Sequence, residues 1–256
     1  MKIIFYLRHN MIRWIYVKKR LKLVRWYNIR LDFKENFVYI RDMKFYHGSK
    51  EIVETPLVHG SNPNNDYGPS FYTTLNFDDA CIWASRNGSV GYVNEYEVNL
   101  DNLKILDLTD KTKFSVLHWI AILLQFRVFD HPFERLHQGR IKKIIEKYSI
   151  NLDEYDVIKG YRADDAYFRF PKEFIRGNIS VELLEQVFSL GELGVQYAFH
   201  SIKAIQHLKF KKATLTNKKY VGQYFEQVKN ATTLFDRLLE QSIDSNEGTR
   251  IGELLK

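Results

Sequence analysis

FYHGS, at residues 45–49, predicts a short apolar strand that ends in a tight turn. The strand would bring an imidazole, His47, and a residue without a side chain, Gly48, to one point. This pair suits a ligand with ribose hydroxyls and an amide, because imidazole can hydrogen-bond a hydroxyl and a bare backbone allows close approach. Taken alone, the same pentapeptide is also compatible with an ordinary strand end.

Three further stretches supply candidates for the same site. GPSFYTT, at residues 68–74, places Tyr72 on a short predicted strand after a loop rich in Pro, Gly, Asn and Asp. Trp83 follows eleven residues after Tyr72, on a predicted helix. QYAF, at residues 196–199, begins another predicted strand with Gln196. A histidine, two aromatic residues and an amide are therefore candidates to line one cleft.

The remaining periodicity predicts short strands and helices in a mixed order, which is typical of an α+β fold. Strands are predicted at about 43–47, 70–74, 90–99, 104–108, 155–159, 195–199 and 208–210. Helices are predicted after Asn76 or Asp78, at 113–129, at 139–148, from Ser180 to about Leu190, at 201–207 and after 217. Glu95 and Glu97 alternate with apolar residues, which predicts a solvated strand face.

Three segments are predicted: a basic, aromatic N-terminal extension at residues 1–40, a folded domain at 41–215 and a helical C-terminal tail at 216–256. With 256 residues, 45% of them hydrophobic, the chain can bury a sizeable core. The single cysteine, Cys81, excludes an intrachain disulfide and a cysteine-ligated metal cluster. Such cysteine usage fits a reducing compartment, most simply the cytoplasm.

No targeting or membrane-spanning segment is predicted. Residues 1–7 are mostly apolar, but Arg8 interrupts them and no small-residue cleavage site follows, which argues against a secretory signal. No uncharged apolar run reaches the ~18 residues that a transmembrane helix requires. The protein is therefore expected to act inside the cell that makes it.

The positive charge is concentrated at one end of the chain. Residues 1–41 hold eleven Lys or Arg against two acidic residues, so the net charge of +7 leaves the remainder at −2. The same segment contains Trp14, Tyr16, Trp26 and Tyr27. Basic and aromatic residues together favour a nucleic-acid contact, because cations neutralise phosphates and aromatic rings stack on bases. Attraction to an anionic membrane surface and a solvated or partner-bound extension are the alternatives.

The motifs together resemble the NAD-binding core of ADP-ribosyltransferases, in the His-Tyr-Glu branch that includes diphtheria toxin and the poly(ADP-ribose) polymerases. The chain is most similar to a bacterial family of ADP-ribosyltransferase-like proteins. That family has Tyr-His-Gly-Ser, Asp-x-Gly-x-x-Phe-Tyr-Thr-Thr, Ala-Asp-Asp and Gln-Tyr-x-Phe, which stand here at residues 46–49, 66–74, 163–165 and 196–199. The resemblance covers about residues 43–210. It implies a split, mostly antiparallel β core with peripheral helices and an NAD cleft between two half-sheets.

The resemblance also implies a role for each matching residue. His47 would hydrogen-bond a ribose hydroxyl of NAD⁺, and the Gly48 backbone would approach the nicotinamide carboxamide. Tyr72 would stack on one face of the nicotinamide ring, and Trp83 on the other. Aromatic platforms of this kind stabilise a cationic ring. Gln196 stands where the family has its catalytic Glu. Two neighbours, Ser49 and Thr73, complete the predicted cofactor-binding set.

Gln196 is the departure from the family pattern. A glutamine can keep the hydrogen bond that orients the ribose, but it cannot supply the negative charge that stabilises an oxocarbenium-like transition state. Transfer of a single ADP-ribose is therefore expected, and chain elongation is not. The missing carboxylate could come from Asp164 or Asp165, and Asp165 is assigned as a general base for the acceptor. No metal is expected.

Purely structural roles are also compatible with four of these residues. Trp83 lies on an apolar helix face and could belong to the core. Asp164 and Asp165 could simply cap or turn a loop. Gln196 could be a half-exposed strand residue.

The predicted activity is that of a mono-ADP-ribosyltransferase toxin with NAD⁺ as co-substrate, in a toxin–antitoxin or phage-defence system with an antitoxin protein as partner. RNA or DNA is the favoured acceptor, reached through the basic extension at residues 1–40, and a protein side chain is the second choice. The alternative is a catalytically inactive module that binds a nucleotide or a partner, for which Gln196 is the main support.

Overall fold

The computed structural model describes residues 43–58, 62–128, 131–163, 169–189, 194–245 and 247–256. These residues belong to a compact unit at 42–256. The predicted N-terminal extension at 1–40, and also Asp164 and Asp165, lie outside the described residues.

The described residues form two β-sheets. Their strands are β1 Met43–Ser49, β2 Phe71–Thr73, β3 Tyr92–Val98, β4 Ile105–Asp107, β5 Val157–Tyr161, β6 Val195–Phe199 and β7 Leu208–Leu215. The first sheet has the order β1-β3-β7 and the second has the order β2-β6-β5-β4. Neighbouring strands are antiparallel except for β4 and β5, which are parallel. The prediction of an α+β fold is confirmed.

Eight α-helices surround the sheets in the described part of the chain. They are α1 Phe77–Ala84, α2 Val116–Phe126, α3 His131–Tyr148, α4 Arg169–Arg176, α5 Val181–Ser189, α6 Ile202–Gln206, α7 Gln223–Ser245 and α8 Ile251–Leu254. Helix α1 begins as predicted, because the Asn76 side chain accepts hydrogen bonds from the backbone N–H groups of Asp78 and Asp79. None of these helices is both long and apolar enough to cross a bilayer.

The largest differences from the predictions concern three elements. Helix α4 was not predicted; its Pro171 lies in the first turn, where a missing N–H costs no helical hydrogen bond. Helix α3 starts eight residues before the predicted Gly139, which lies within it. Strand β7 continues past Phe210 because it pairs with β3 as far as Leu215.

The main core surrounds α2, whose buried face includes Trp119 and Ile122. Helix α7 contributes Ala231 and Phe235 to the same core, so the segment after residue 216 packs against the rest of the unit. A second cluster lies between the two sheets. There the Phe45 ring of β1 is 5.4 Å from the Phe199 ring of β6, in edge-to-face contact.

The prediction that Glu95 and Glu97 lie on a solvated face of β3 is wrong for Glu95. Glu95 is only 7% exposed, and its oxygens lie 2.7 Å from Lys44 Nζ and 3.7 Å from Lys212 Nζ. The neighbouring strands β1 and β7 supply these two lysines. Glu97 is partly exposed and pairs with Lys211 at 2.8 Å.

Candidate functional site

The two sheets touch at one edge and then separate. Tyr46 of β1 and Thr74, the residue after β2, exchange two backbone hydrogen bonds of 2.8 and 2.9 Å. One residue further along β1, the contact with β2 is made by the imidazole of His47, whose Nδ1 lies 2.7 Å from the carbonyl oxygen of Tyr72. Backbone pairing therefore gives way to a side chain at the point where a cleft opens between β1 and β2.

The cleft has a volume of about 860 Å³, which lies within the usual range for small-molecule sites. Seven of the eight predicted site residues line it: His47, Gly48, Ser49, Tyr72, Thr73, Trp83 and Gln196. The eighth, Asp165, lies outside the described residues. The fold thus brings residues from β1, β2, α1 and β6 to one cavity.

The bond to Tyr72 fixes the chemistry of His47. Because a carbonyl oxygen only accepts, Nδ1 must carry the proton and donate it. Burial lowers the pKa of His47; the bond to the Tyr72 carbonyl opposes this effect and nearby Arg86 adds to it. The ring is therefore neutral at physiological pH, and Nε2 is left as a hydrogen-bond acceptor.

Gly48 is required by its packing against α1. A Cβ atom at this position would lie 2.1 Å from the carbonyl oxygen of Ala80 and 2.8 Å from the backbone nitrogen of Ala84. In a strand, successive residues direct their peptide groups to opposite edges. The N–H and C=O of Gly48 therefore point to the same edge as those of Tyr46, into the opening between the sheets.

Tyr72 presents a ring whose hydroxyl is already engaged. The hydroxyl donates to the Gly68 carbonyl at 2.7 Å and accepts from the Tyr67 backbone N–H at 3.0 Å. Tyr67 is itself fully buried, with its hydroxyl donating to the Tyr161 carbonyl and accepting from Trp119 Nε1. Burial raises the pKa of Tyr72, so the phenol stays neutral. The residue is suited to stacking rather than to proton transfer.

Trp83 is a partly exposed residue of the cleft wall, so it does not belong wholly to the core. Its ring has two cationic neighbours: the guanidinium carbon of Arg86 lies 4.2 Å from the ring centroid and that of Arg162 lies 4.8 Å from it. The ring of Tyr224, from α7, meets it edge-on at 6.0 Å. The indole therefore holds two positive groups at the cleft.

Ser49 and Thr73 line the cleft with hydroxyls that already have protein partners. Ser49 Oγ donates to the Glu51 carbonyl and accepts from Asn94 Nδ2 at 3.1 Å. Thr73 Oγ1 donates to the Tyr197 carbonyl at 3.3 Å. Both residues shape the wall through these bonds.

Gln196 is buried, at 8% exposure, so the alternative of a half-exposed strand residue is wrong. Its Nε2 donates to Asp66 Oδ2 at 2.8 Å and to the Tyr161 carbonyl at 3.3 Å. The same Asp66 oxygen accepts from the backbone N–H of Ala163 at 2.8 Å, and Arg127 lies 3.7 Å from the other carboxylate oxygen. A buried carboxylate therefore stands directly behind the amide.

A family model described as "protein of unknown function (DUF3990)" matches residues 43–210. The chain belongs to the DUF3990 family. No curated protein and no solved structure matched the chain. The matched range contains every described residue that was predicted for the site.

The cleft residues within the DUF3990 range that were not predicted include Asp66, Arg86, Arg127 and Arg162. Asp66 stands at the start of the 66–74 motif, which is a signal that could have drawn attention to it. The three arginines come from separate loops and a helix end, and no sequence spacing relates them. Arg86 and Arg162 lie beside the aromatic wall at Trp83, and Arg127 lies beside Asp66.

Proposed function

We propose that this protein is an NAD⁺-dependent mono-ADP-ribosyltransferase with an ADP-ribosyltransferase-like split β core. The observation that carries the proposal is the convergence of His47, Tyr72 and Gln196, which are distant in sequence, on one cleft between two sheets. His47 and Tyr72 present the groups that the resemblance implies, a neutral imidazole acceptor and a fixed aromatic ring, and Gln196 presents an amide where the resemblance has a carboxylate. Together they suit a nicotinamide ribose.

The cleft chemistry also suits the rest of a dinucleotide. Tyr72 offers a ring for the cationic nicotinamide, and the Gly48 peptide groups can bind its carboxamide. His47 Nε2 accepts from a ribose hydroxyl. Arg86 and Arg162, next to Trp83, are positioned to neutralise a pyrophosphate.

The reaction breaks the bond between nicotinamide N1 and ribose C1′. Nicotinamide departs with the electron pair of that bond, and the ribose acquires oxocarbenium character. A nucleophile of the acceptor then attacks C1′ and releases its proton to a base, the role assigned to Asp165. Holding both reactants in one geometry supplies much of the rate, and charge placed near the ribose supplies more.

RNA or DNA is the proposed acceptor, because the basic, aromatic segment at residues 1–40 has the composition of a nucleic-acid contact. A protein side chain is the second choice. An enzyme of this kind acting inside its own cell would serve as a toxin in a toxin–antitoxin or phage-defence system, held in check by an antitoxin protein.

The test is incubation of the full chain with labelled NAD⁺ and cell extract. Wild type should release nicotinamide and transfer label, Tyr72→Ala should do neither, and Tyr155→Ala, a tyrosine outside the cleft, should behave as wild type. Digestion of the labelled product with nuclease or protease then identifies the acceptor class. Absence of nicotinamide release from wild type would overturn the proposed activity.

One observation favours a second function, a nucleotide-binding module without catalysis. Gln196 has no charge of its own with which to stabilise the transition state. If this second function is correct, NAD⁺ binds to wild type and binds measurably more weakly to Tyr72→Ala. Neither protein turns NAD⁺ over. Calorimetry beside the turnover assay separates the two functions.

A further inference from the structure

Asp66 is a carboxylate in direct contact with Gln196, the residue that stands where ADP-ribosyltransferases have their catalytic Glu. Its side chain is 7% exposed, and one of its oxygens, Oδ2, accepts from both Gln196 Nε2 and the Ala163 N–H at 2.8 Å. Arg127 lies 3.7 Å from the other oxygen, Oδ1. Donated hydrogen bonds and a nearby cation both favour the charged form of a carboxylate.

Asp66 also fixes which end of the Gln196 amide faces a ligand. The amide nitrogen is directed at Asp66 and at the Tyr161 carbonyl. Within the part of the chain that the structure describes, the carbonyl oxygen Oε1 accepts no hydrogen bond. That oxygen is therefore the end available to a hydroxyl in the cleft.

We propose that Asp66 and Gln196 act as a carboxylate–amide pair that replaces the single catalytic carboxylate of ADP-ribosyltransferases. The inference rests on the proposed transferase function. Gln196 Oε1 contacts the ribose, and Asp66 is a positioning residue that acts through it. An anion bonded to the N–H end of an amide draws negative charge towards the carbonyl end, because hydrogen-bonded groups in a low dielectric polarise one another. The pair thus presents a more negative oxygen to the oxocarbenium than an isolated glutamine would.

The pair differs in a testable way from a carboxylate that only holds a loop. An asparagine at position 66 can still accept from Gln196 and Ala163 through its Oδ1, so it keeps these two bonds and removes the charge that faces Arg127. A loop-holding role would survive that change apart from a loss of stability. A polarising role would not.

The first measurement compares nicotinamide release by wild type, Asp66→Asn and Asp107→Asn. Asp107 is a matched control, since it is a partly buried carboxylate paired with Lys159 at 2.7 Å and lies outside the cleft lining. We expect Asp66→Asn to lower kcat by about tenfold, which is less than the roughly 100-fold or greater loss when a group that contacts the transition state is removed, with KM changed less than about threefold. Asp107→Asn should retain the wild-type kcat.

The second measurement moves the carboxylate across the pair. Asp66→Asn combined with Gln196→Glu places the charge on the ribose side, but it removes the acceptor of the Ala163 N–H and one donor to the Tyr161 carbonyl. Because these two backbone groups each lose a hydrogen bond, we expect the double variant to recover only part of the kcat lost in Asp66→Asn. Gln196→Glu alone places two carboxylates at hydrogen-bond distance, so it should be less active than the double variant.

The outcomes separate this inference from the proposed function. If wild type releases no nicotinamide, both fail. If wild type is active and the kcat of Asp66→Asn matches that of Asp107→Asn, the transferase stands and the pair is overturned. Thermal unfolding of each variant identifies any loss of kcat that comes from misfolding. If Asp66→Asn is misfolded, the kcat of the double variant is compared with that of Gln196→Glu. A higher kcat for the double variant supports the pair, and an equal or lower one overturns it.

Discussion

His47 Nδ1 lies 2.7 Å from the carbonyl oxygen of Tyr72, across the gap where β1 and β2 stop pairing. One hydrogen bond therefore closes the end of the sheet contact, fixes the tautomer of the imidazole and connects two residues of the proposed nicotinamide site. The Tyr72 hydroxyl also donates to the Gly68 carbonyl. Hydrogen bonds therefore fix the positions of both rings.

The pH dependence of this contact is the first prediction. The pKa of His47 is below its value of ~6.5 in an unfolded chain. Its contribution to stability is therefore complete above about pH 6.5 and is lost as the pH falls through the lowered pKa. Protonation also removes the Nε2 acceptor, so NAD⁺ affinity should fall over the same interval.

The check compares wild type with His47→Asn, whose Nδ2 takes the place of the imidazole Nδ1 as donor to the Tyr72 carbonyl and which does not titrate. Thermal unfolding and NAD⁺ calorimetry are measured from about pH 7.5 to about pH 5. Over this range wild type should lose more stability and more NAD⁺ affinity than the variant. Parallel pH curves for the two proteins would contradict the assignment.

Tyr72→Phe and Tyr72→Ala should have different effects. The Phe variant leaves the buried Gly68 carbonyl and Tyr67 N–H without their partner, so it should lose about 1–3 kcal/mol of stability. It keeps the ring, so NAD⁺ affinity should stay within about twofold. The Ala variant removes the platform and should lose about 1–3 kcal/mol of binding. Urea unfolding and calorimetry measure the two effects, and weak NAD⁺ binding by a folded Phe variant would contradict the stacking role.

Gly48→Ala should destabilise the protein by about 3 kcal/mol or more, because the new methyl group would overlap backbone atoms of α1 that cannot move aside. Gly139→Ala is the matched control. Gly139 is an exposed residue inside α3 with no atom near its Cβ position, so alanine should stabilise the helix by about 0.5–1 kcal/mol. Urea unfolding measures both, and equal effects at the two glycines would show that the contact with α1 is relaxed.

The two arginines beside Trp83 should discriminate between ligands with and without a pyrophosphate. Arg86→Met and Arg162→Met should each weaken NAD⁺ binding by about tenfold, since each removes a charge-assisted bond. Binding of nicotinamide riboside, which has no phosphate, should be unchanged. Arg237→Met, on the exposed face of α7, serves as the control. Equal loss for both ligands would place the arginines at the nicotinamide end.

Deletion of residues 1–40 should separate acceptor modification from NAD⁺ turnover. If the basic segment binds a nucleic-acid acceptor, label transfer should fall much more than nicotinamide release, and the remaining transfer should depend less on salt. Both activities are measured on the same preparation. Equal loss of both would show that the segment supports the fold instead.

The strands and the cleft residues on them could be predicted because alternation and motif spacing are local properties of the chain. The buried state of Glu95 could not, since it depends on Lys44 and Lys212, which reach it from two other strands. The contact between Asp66 and Gln196 was equally hidden. Gln196 is 130 residues away from Asp66, and only the fold shows that the two are in contact.

The single thiol of the chain reports on the C-terminal segment. Cys81 is 1% exposed and lies in a small cluster with Tyr220, which also bonds Asp78 of α1. Burial raises the pKa of Cys81, so the folded chain should resist alkylation. Tyr220 lies beyond the family match, which ends at residue 210. A partner or truncation that lifts this segment away would uncover the sulfur, and the rate of thiol labelling would measure its detachment.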